Sequence, residues 1–353
     1  MPRLFIQRYL QNNRVLIYLG SICFLFVSMI VSIGKGSVDL PFSTVLYILG
    51  QQWFHLPLNA TLDPMHINIV MEIRLPRVLL ALFVGASLAL AGSAFQGLLK
   101  NPLADPYTLG VSSGSALGAV SVLFFGISIP FLGSFTLPVV SIITGFFTLI
   151  IVMSFARLVQ RSMSAETIIL AGIIFSSFLG ALISLIIALT GEELRQIISW
   201  LMGSVSMRGW SYVWLIIPCF FAGMLLLLAN SRELNALAFG EETAKHLGVD
   251  IRLRKLLILL GAATLTGCAV AVSGSIGFVG LVIPHLTRLI CGSDHRHLMP
   301  LSMIIGGGFL MLTDLLARTI IAPTELPIGV ITAVVGAPVF GFLLLQQRRK
   351  HLS

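Results

Sequence analysis

Between Arg77 and Lys100 the chain reads Val78-Leu79-Leu80-Ala81-Leu82-Phe83-Val84-Gly85-Ala86-Ser87-Leu88-Ala89-Leu90-Ala91-Gly92-Ser93-Ala94-Phe95-Gln96-Gly97-Leu98-Leu99. No charge interrupts it. A helix needs about 20 such residues to cross a hydrocarbon layer roughly 30 Å thick. Lipid offers backbone amides no partner, so a spanning run must be a helix or part of a closed barrel. The apolar character is continuous, unlike the ten-residue alternation of barrel strands. Gly85, Ala89, Ser93 and Gly97 share one helix face, where a second backbone can approach closely.

Nine further runs of this kind follow from the same reading. The ten expected spans cover 15–33, 78–99, 108–125, 138–158, 167–189, 211–229, 255–273, 276–291, 299–320 and 328–346. The eighth is short for a span. Composition agrees: 57% of the 353 residues are apolar and 10% are charged, with mean hydropathy +0.99. Soluble domains carry about 25% charged residues. A soluble enzyme and a nucleic-acid-binding protein are thereby excluded. The expected class is all-α: a polytopic membrane protein of about ten transmembrane helices, with residues 1–353 forming one domain.

The net charge of +8 comes from 22 Lys and Arg against 14 Asp and Glu. Basic residues gather in cytoplasmic loops. With the N-terminus inside, ten spans leave only Lys35, Arg74, Arg77, Arg195, Arg208 and Arg318 outside. That asymmetry supports both ten spans and cytoplasmic termini. Small-residue stripes recur at Gly110, Gly114 and Gly118, and at Gly329, Ala333, Ala337 and Gly341. Residues 170–174 and 327–331 resemble each other in two spans of opposite direction, the pattern of an inverted repeat.

Little in the sequence suggests chemistry. There is no Walker A motif for ATP and no recognisable catalytic spacing. Cys23, Cys219, Cys268 and Cys291 lack metal-ligand spacing, and no metal or cofactor is expected. Asp314 is the one acidic residue deep in a span, with Arg318 four residues on. That spacing allows local neutralisation, which weakens the case for an ion-coupled carrier and favours energy from another subunit. The cytoplasmic loop of about 230–252 holds Gly240-Glu241-Glu242-Thr243-Ala244-Lys245-His246-Leu247-Gly248. An acidic start and a closing glycine predict a short capped helix, suited to docking a partner.

Five segments carry a family resemblance. The first runs from Arg74-Leu75-Pro76-Arg77 through Gln96-Gly97 and Asn101-Pro102-Leu103-Ala104-Asp105-Pro106 to Leu109-Gly110-Val111. Next come Leu194-Arg195-Gln196 with Trp200-Leu201-Met202-Gly203, then Gly240-Glu241 with Ala244 and Leu247-Gly248. The last are Gly274 to His285, and Glu325-Leu326-Pro327-Ile328-Gly329 with Gly336-Ala337-Pro338. From about residue 70 onward the chain resembles the permease subunits of ATP-binding cassette (ABC) importers for iron–siderophores, haem and vitamin B12, which have the type II importer fold.

The resemblance implies a homodimer in the bacterial plasma membrane, with two cytoplasmic ATPase subunits and an extracytoplasmic binding protein as partners. ATP is then hydrolysed by the separate subunit. It implies a pathway along the dimer axis, lined by the third, fifth and tenth spans or their flanks. Asn101 and Leu103 match the family's cytoplasmic gate. Ala165 and Glu166 match its second segment, at positions where a related B12 permease has small hydroxyl residues. Gly240, Glu241, Ala244, Leu247 and Gly248 match the coupling helix. Arg74, Arg77 and Arg318 match arginines that receive glutamates of the binding protein. The runner-up reading is an ion-coupled secondary transporter.

Overall fold

The computed structural model describes residues 13–36, 40–54, 63–161 and 164–351, and among them every regular element is helical. Arg3 and Arg8, assigned above to the inner side, lie outside the described residues. The helices are α1 (Arg14–Gly34), α2 (Phe42–Phe54), α3 (Pro64–Leu98), α4 (Val111–Phe125), α5 (Thr136–Val159) and α6 (Ala165–Leu189). They continue with α7 (Leu194–Leu201), α8 (Gly209–Ala229), α9 (Ser231–Ala238), α10 (Glu241–His246) and α11 (Ile251–Ser273). The last are α12 (Val279–Cys291), α13 (His295–Thr319) and α14 (Ile328–His351).

Seven helices, α1, α3, α5, α6, α8, α11 and α13, are long and apolar enough to cross a membrane. The shorter apolar helices α4, α12 and Ile328–Phe342 of α14 complete the expected set of ten. α3 is the hub. It is buried along nearly its whole length and packs on α13, α11, α12 and α8. Small residues make this possible: a Cβ at Gly85, in the stripe seen in the sequence, would overlap the Gly306 carbonyl of α13, and one at Gly92, outside it, the Gly280 carbonyl of α12. Gly114 and Gly118 give α4 the same closeness to Thr148 and Thr144 of α5. In α14 the stripe is only partly used. Gly329 lies against the Met202 carbonyl, whereas Gly341 meets nothing within 4 Å.

The second span starts earlier than the apolar run predicts. Helix extends back to Pro64, with one wide turn at Ile69–Arg74. Pro76 has no N–H to give to the carbonyl four residues back. The ladder widens just before it, so that Leu75 N–H bonds Val70 O, five residues back. Trp210 Nε1 donates to Met71 O at 2.9 Å and satisfies a carbonyl of that turn. Arg74 and Arg77 are therefore helical residues.

Non-helical backbone is also satisfied inside the protein. Ser204 N–H donates to Ser273 O at 2.7 Å, Ile328 N–H to Gly203 O at 3.0 Å, and Ile276 N–H to Tyr107 Oη at 2.7 Å. Irregular backbone at this depth survives only with such partners.

Candidate functional site

α3 separates two clusters of candidate residues. At 1.5 Å per residue, Arg74 and Leu98 lie about 36 Å apart, more than the hydrocarbon thickness. Gly97 touches His295 at the start of α13, and Asp314 near its end meets Arg77. The Arg74 cluster and the Gly97 end therefore lie on opposite sides of the bundle.

At the first end, Arg74, Arg77 and Arg318 come together around a cavity of about 220 Å³ that Glu325, Pro323 and Ile73 also line. All three are largely withdrawn from solvent and tied to this chain. Arg74 Nη1 donates to the carbonyls of Ile33 and Gly34, both at 2.8 Å. Arg77 forks onto Asp314, with Nε and Nη2 at 3.0 and 2.9 Å from Oδ1. It also reaches Glu325, with Nη1 at 2.7 Å from Oε1. Arg318 donates to the Ser32 carbonyl.

The local Asp314–Arg318 neutralisation that the spacing allows is present, with Arg318 Nε 3.5 Å from Asp314 Oδ2, and Arg77 stands closer to the same carboxylate at 2.9 Å. A guanidinium meets a carboxylate best in-plane, through parallel N–H bonds, and Arg77 donates to it from both Nε and Nη2. Arg74 and Arg318 are buried, at 4% and 8% exposure. The acidic residue that sequence reasoning missed as a partner is Glu325. It stands 248 positions from Arg77, beyond any spacing rule. Burial opposes its ionisation, but the hydrogen bonds and charge of Arg77 outweigh burial and hold the carboxyl below its ordinary range.

At the other end, residues 99–105 form a tight turn. Asn101 Oδ1 accepts the N–H of Leu103 at 2.9 Å, and Asn101 N–H returns to Gln96 O at 3.2 Å. Asn101 thus shapes the turn, and Leu103 is left 45% exposed on it. Asp105 accepts the N–H of Tyr107 at 3.2 Å and starts the next turn. Ala165 and Glu166 lie in the first turn of α6, behind the cap Ser164, whose Oγ accepts the N–H of Thr167 at 3.3 Å. Glu166 is exposed there, where a helix N-terminus favours an anion. α6 reaches the Leu103 side through Gly172, packed on Thr108 and Leu109. No contact joins Leu103 to Ala165 or Glu166 among the bonds of the described residues.

The loop of about 230–252 is two helices, not the single one expected. α9 ends at Ala238 with Phe239 after it, and α10 begins after Gly240 at φ 119°, a conformation that side chains resist. α10 closes with Gly248 at φ 82°. Val249 N–H bonds Ala244 O at 3.1 Å and Gly248 N–H bonds Lys245 O at 3.0 Å, the paired bonds of a Schellman cap. Ala244 is fully buried, and Glu241 holds Lys255 at 2.8 Å. Asn235 bonds Asp294 at 2.7 Å and ties α9 to α13. The result is a rigid platform with Leu247 67% and Phe239 79% exposed. Phe239 was not singled out from the sequence; an aromatic just before a glycine break was its only signal.

Comparison with known proteins gives a consistent result. The FecCD transport family matches residues 24–346. An uncharacterised ABC transporter permease protein of Bacillus subtilis, YvrB, is 57% identical, over 99% of each chain. The hemin transport permease HmuU of Yersinia pestis is 39% identical, over 96% of this chain and 99% of its own. The molybdate import permease MolB of Haemophilus influenzae is 38% identical, over 96% and 97%. A solved structure described as an inward-facing conformation of a metal-chelate type ABC transporter superposes with TM-score 0.81. Its identity is 36%, over 94% of this chain and 99% of that one.

Proposed function

The chain belongs to the FecCD transport family, and on that premise we propose that it is the membrane-spanning subunit of an ATP-driven importer for a metal chelate. A multi-pass permease of this family resides in the bacterial inner membrane and works with an ATPase and a substrate-binding protein. The ion-coupled alternative falls away with the family assignment. Two copies of the permease domain, residues 1–353, form the pathway, with both termini and α10 on the cytoplasmic side. Apolar side chains of α6 (Leu170, Ile173, Phe178) and α14 (Val334, Val335, Phe342) are exposed and supply faces for the second copy.

The observation that carries this reading is α10. It is capped at its C-terminal end by the bonds of Gly248 and Val249, clamped through Glu241 to Lys255, and flanked by exposed Phe239 and Leu247. A rigid element of this kind transmits an ATPase movement, because its contacts differ between the partner's two states. Gly240, Glu241, Ala244 and Gly248 shape it, and Leu247 contacts the partner. Asn101 and Leu103, with Ala165 and Glu166 from the start of α6, narrow the path on the same side.

On the outer side, a glutamate of each binding-protein lobe enters the cavity lined by Arg74, Arg77 and Arg318. The geometry adds a condition: it must compete with Glu325 for Arg77. The cargo belongs to the ferric siderophore, haem or cobalamin class, with affinity residing mainly in the binding protein. The names of the relatives favour that division, since permeases this similar serve hemin and molybdate. The decisive experiment is uptake of labelled ferric siderophore, haem, cobalamin and molybdate in a deletion strain, with ATPase co-purification. Uptake of one chelate, abolished when the ATPase is inactivated, is expected. Uptake that persists without the ATPase overturns the reading.

A further inference from the structure

Between the last turns of α5, the start of α11 and α10 lies a cleft of about 1220 Å³. Five cations line it, Arg157, Arg161, Lys245, Arg252 and Lys255, against Glu241 and Asp250. Both carboxylates are already engaged. Glu241 bonds Lys255 at 2.8 Å, and Asp250 caps α11 by accepting the N–H of Leu253 at 3.1 Å. Arg157, Arg161, Lys245 and Arg252 are exposed and have no acidic partner among the described residues.

A second groove, about 340 Å³, opens beside the first. It shares Ser154, Arg157 and Arg252 and adds the apolar Leu253 and Leu256, which are 49% and 43% exposed. On α5 the face of Arg157 and Ser154 continues at three- and four-residue spacing through Ile150, Phe147 and Ile143, which are 60%, 62% and 60% exposed, and Arg161 lies just past the helix end. One strip therefore runs from bare apolar surface at membrane depth to a cluster of cations at one edge.

We propose that this strip binds an anionic phospholipid, its phosphate held by Arg157, Arg161 and Arg252 and one acyl chain laid along Leu253, Leu256 and Ile150. The inference rests on the reading that α10 faces the cytoplasm, where anionic headgroups attract basic pockets between helices. A guanidinium pairs with phosphate through two parallel hydrogen bonds, and three arginines converge here. A soluble anion would answer the cations and leave the apolar half of the strip bare. A docked ATPase would not reach Phe147 and Ile143, which lie in the body of a spanning helix. Lys245 belongs to α10, so the lipid also supports the docking platform from behind.

The test is native mass spectrometry of the permease–ATPase complex in mild detergent, loaded with equal phosphatidylglycerol and phosphatidylcholine. The wild type is expected to retain phosphatidylglycerol preferentially. The combined change Arg157→Gln, Arg161→Gln, Arg252→Gln is expected to cut that retention at least about tenfold, with phosphatidylcholine unchanged. The corresponding Arg→Lys triple change should keep most of it. Leu256→Trp preserves every charge but fills the apolar groove, and should lower retention too; it decides the matter if the glutamine variant misfolds. Unchanged retention in the glutamine variant overturns the proposal. So does a full effect of that variant with none from Leu256→Trp and complete displacement by inorganic phosphate, which would define a soluble-anion site. Loss of the ATPase from the wild-type complex would break the coupling reading instead and leave the lipid result standing.

Discussion

The two ends of the bundle treat charge in opposite ways. Around Arg77, the arginines are largely buried and tied to this chain: Arg77 binds Asp314 and Glu325, Arg74 the carbonyls at the end of α1, and Arg318 the Ser32 carbonyl. Around α10, Arg157, Arg161, Lys245 and Arg252 of the cleft are exposed with no acidic partner among the described residues, and apolar Phe239 and Leu247 stand out from the surface. A buried charge is costly unless paired, so the first end is built by mutual dependence. The second end is finished only by what binds it. Substitutions at the first end should therefore register first as lost stability, and those at the second as lost partnership.

The sharpest way to break this contrast is Arg77→Ala. Asp314 has a side chain only 1% exposed, and Arg77 is its closest cation. Removing one partner of a buried pair costs about 3–5 kcal/mol. The solubilised protein should show a markedly lower melting temperature and poor yield. Adding Asp314→Ala should recover part of the loss, because the buried carboxylate, left with only the longer Arg318 contact, goes with it. A melt equal to wild type for Arg77→Ala would mean that the pair carries no structural weight.

At the other end, Gly248→Val should spare global stability and reduce partnership. A β-branched residue at φ 82° is strained by roughly 1–2 kcal/mol, and the Schellman bonds that end α10 would be lost. ATPase co-purification should drop about tenfold if that strain falls on the docked state, and uptake with it. Normal association and normal uptake would remove α10 from coupling. Leu103→Ala should have a smaller effect. It shortens an exposed apolar side chain on the Asn101 turn, and narrow apolar constrictions exclude water and ions. Passive leakage of a small chelate from liposomes, without ATP, should rise a few-fold, on the order of 1 kcal/mol of barrier. Unchanged leakage, also with Asn101→Ala added, would take both residues out of the gate.

The sequence made the bundle legible because lipid leaves the backbone so few options. A charge-free run such as 78–99 reads as a helix, and its small residues predict a close helix approach, which the structure makes at Gly306 and Gly280. The cap at Gly248 was readable for a similar reason: only a residue tolerant of positive φ ends a helix that way. Charge pairing was readable only for neighbours one turn apart, such as Asp314 and Arg318. Asp314 has Arg318 one turn away and Arg77 237 positions away, and the distant residue holds the better geometry. Nor did periodicity reveal the break at Gly240, because Phe239 continues the apolar pattern of α9 into the turn. Arg157, Arg161 and Arg252 fall on the inner side of the charge asymmetry, but their convergence needs α5 and α11 side by side.

The finest probe of the contrast is Glu325→Gln, because Glu325 is the one member of the Arg77 cluster that faces both ways. Its side chain is 40% exposed, against 1% for Asp314. An ion pair so open to water is worth about 0–1 kcal/mol after screening, so the variant should melt close to wild type. Its carboxyl titrates below the ordinary value near 4.5. A folded-state pKa lower than the unfolded one contributes stability above the unfolded value, and that contribution is lost as pH falls through the folded value. The small stability difference between wild type and Glu325→Gln should therefore be constant near neutrality and vanish only under more acid conditions. Docking should respond in the opposite sense. With the internal carboxylate neutralised, Arg77 has one fewer competitor for an incoming glutamate. Capture of the binding protein at low salt should then speed up a few-fold, since charges at a rim act mainly on association rate. Slower capture by Glu325→Gln, with stability unchanged, would show instead that Glu325 holds Arg77 in the orientation that the partner needs.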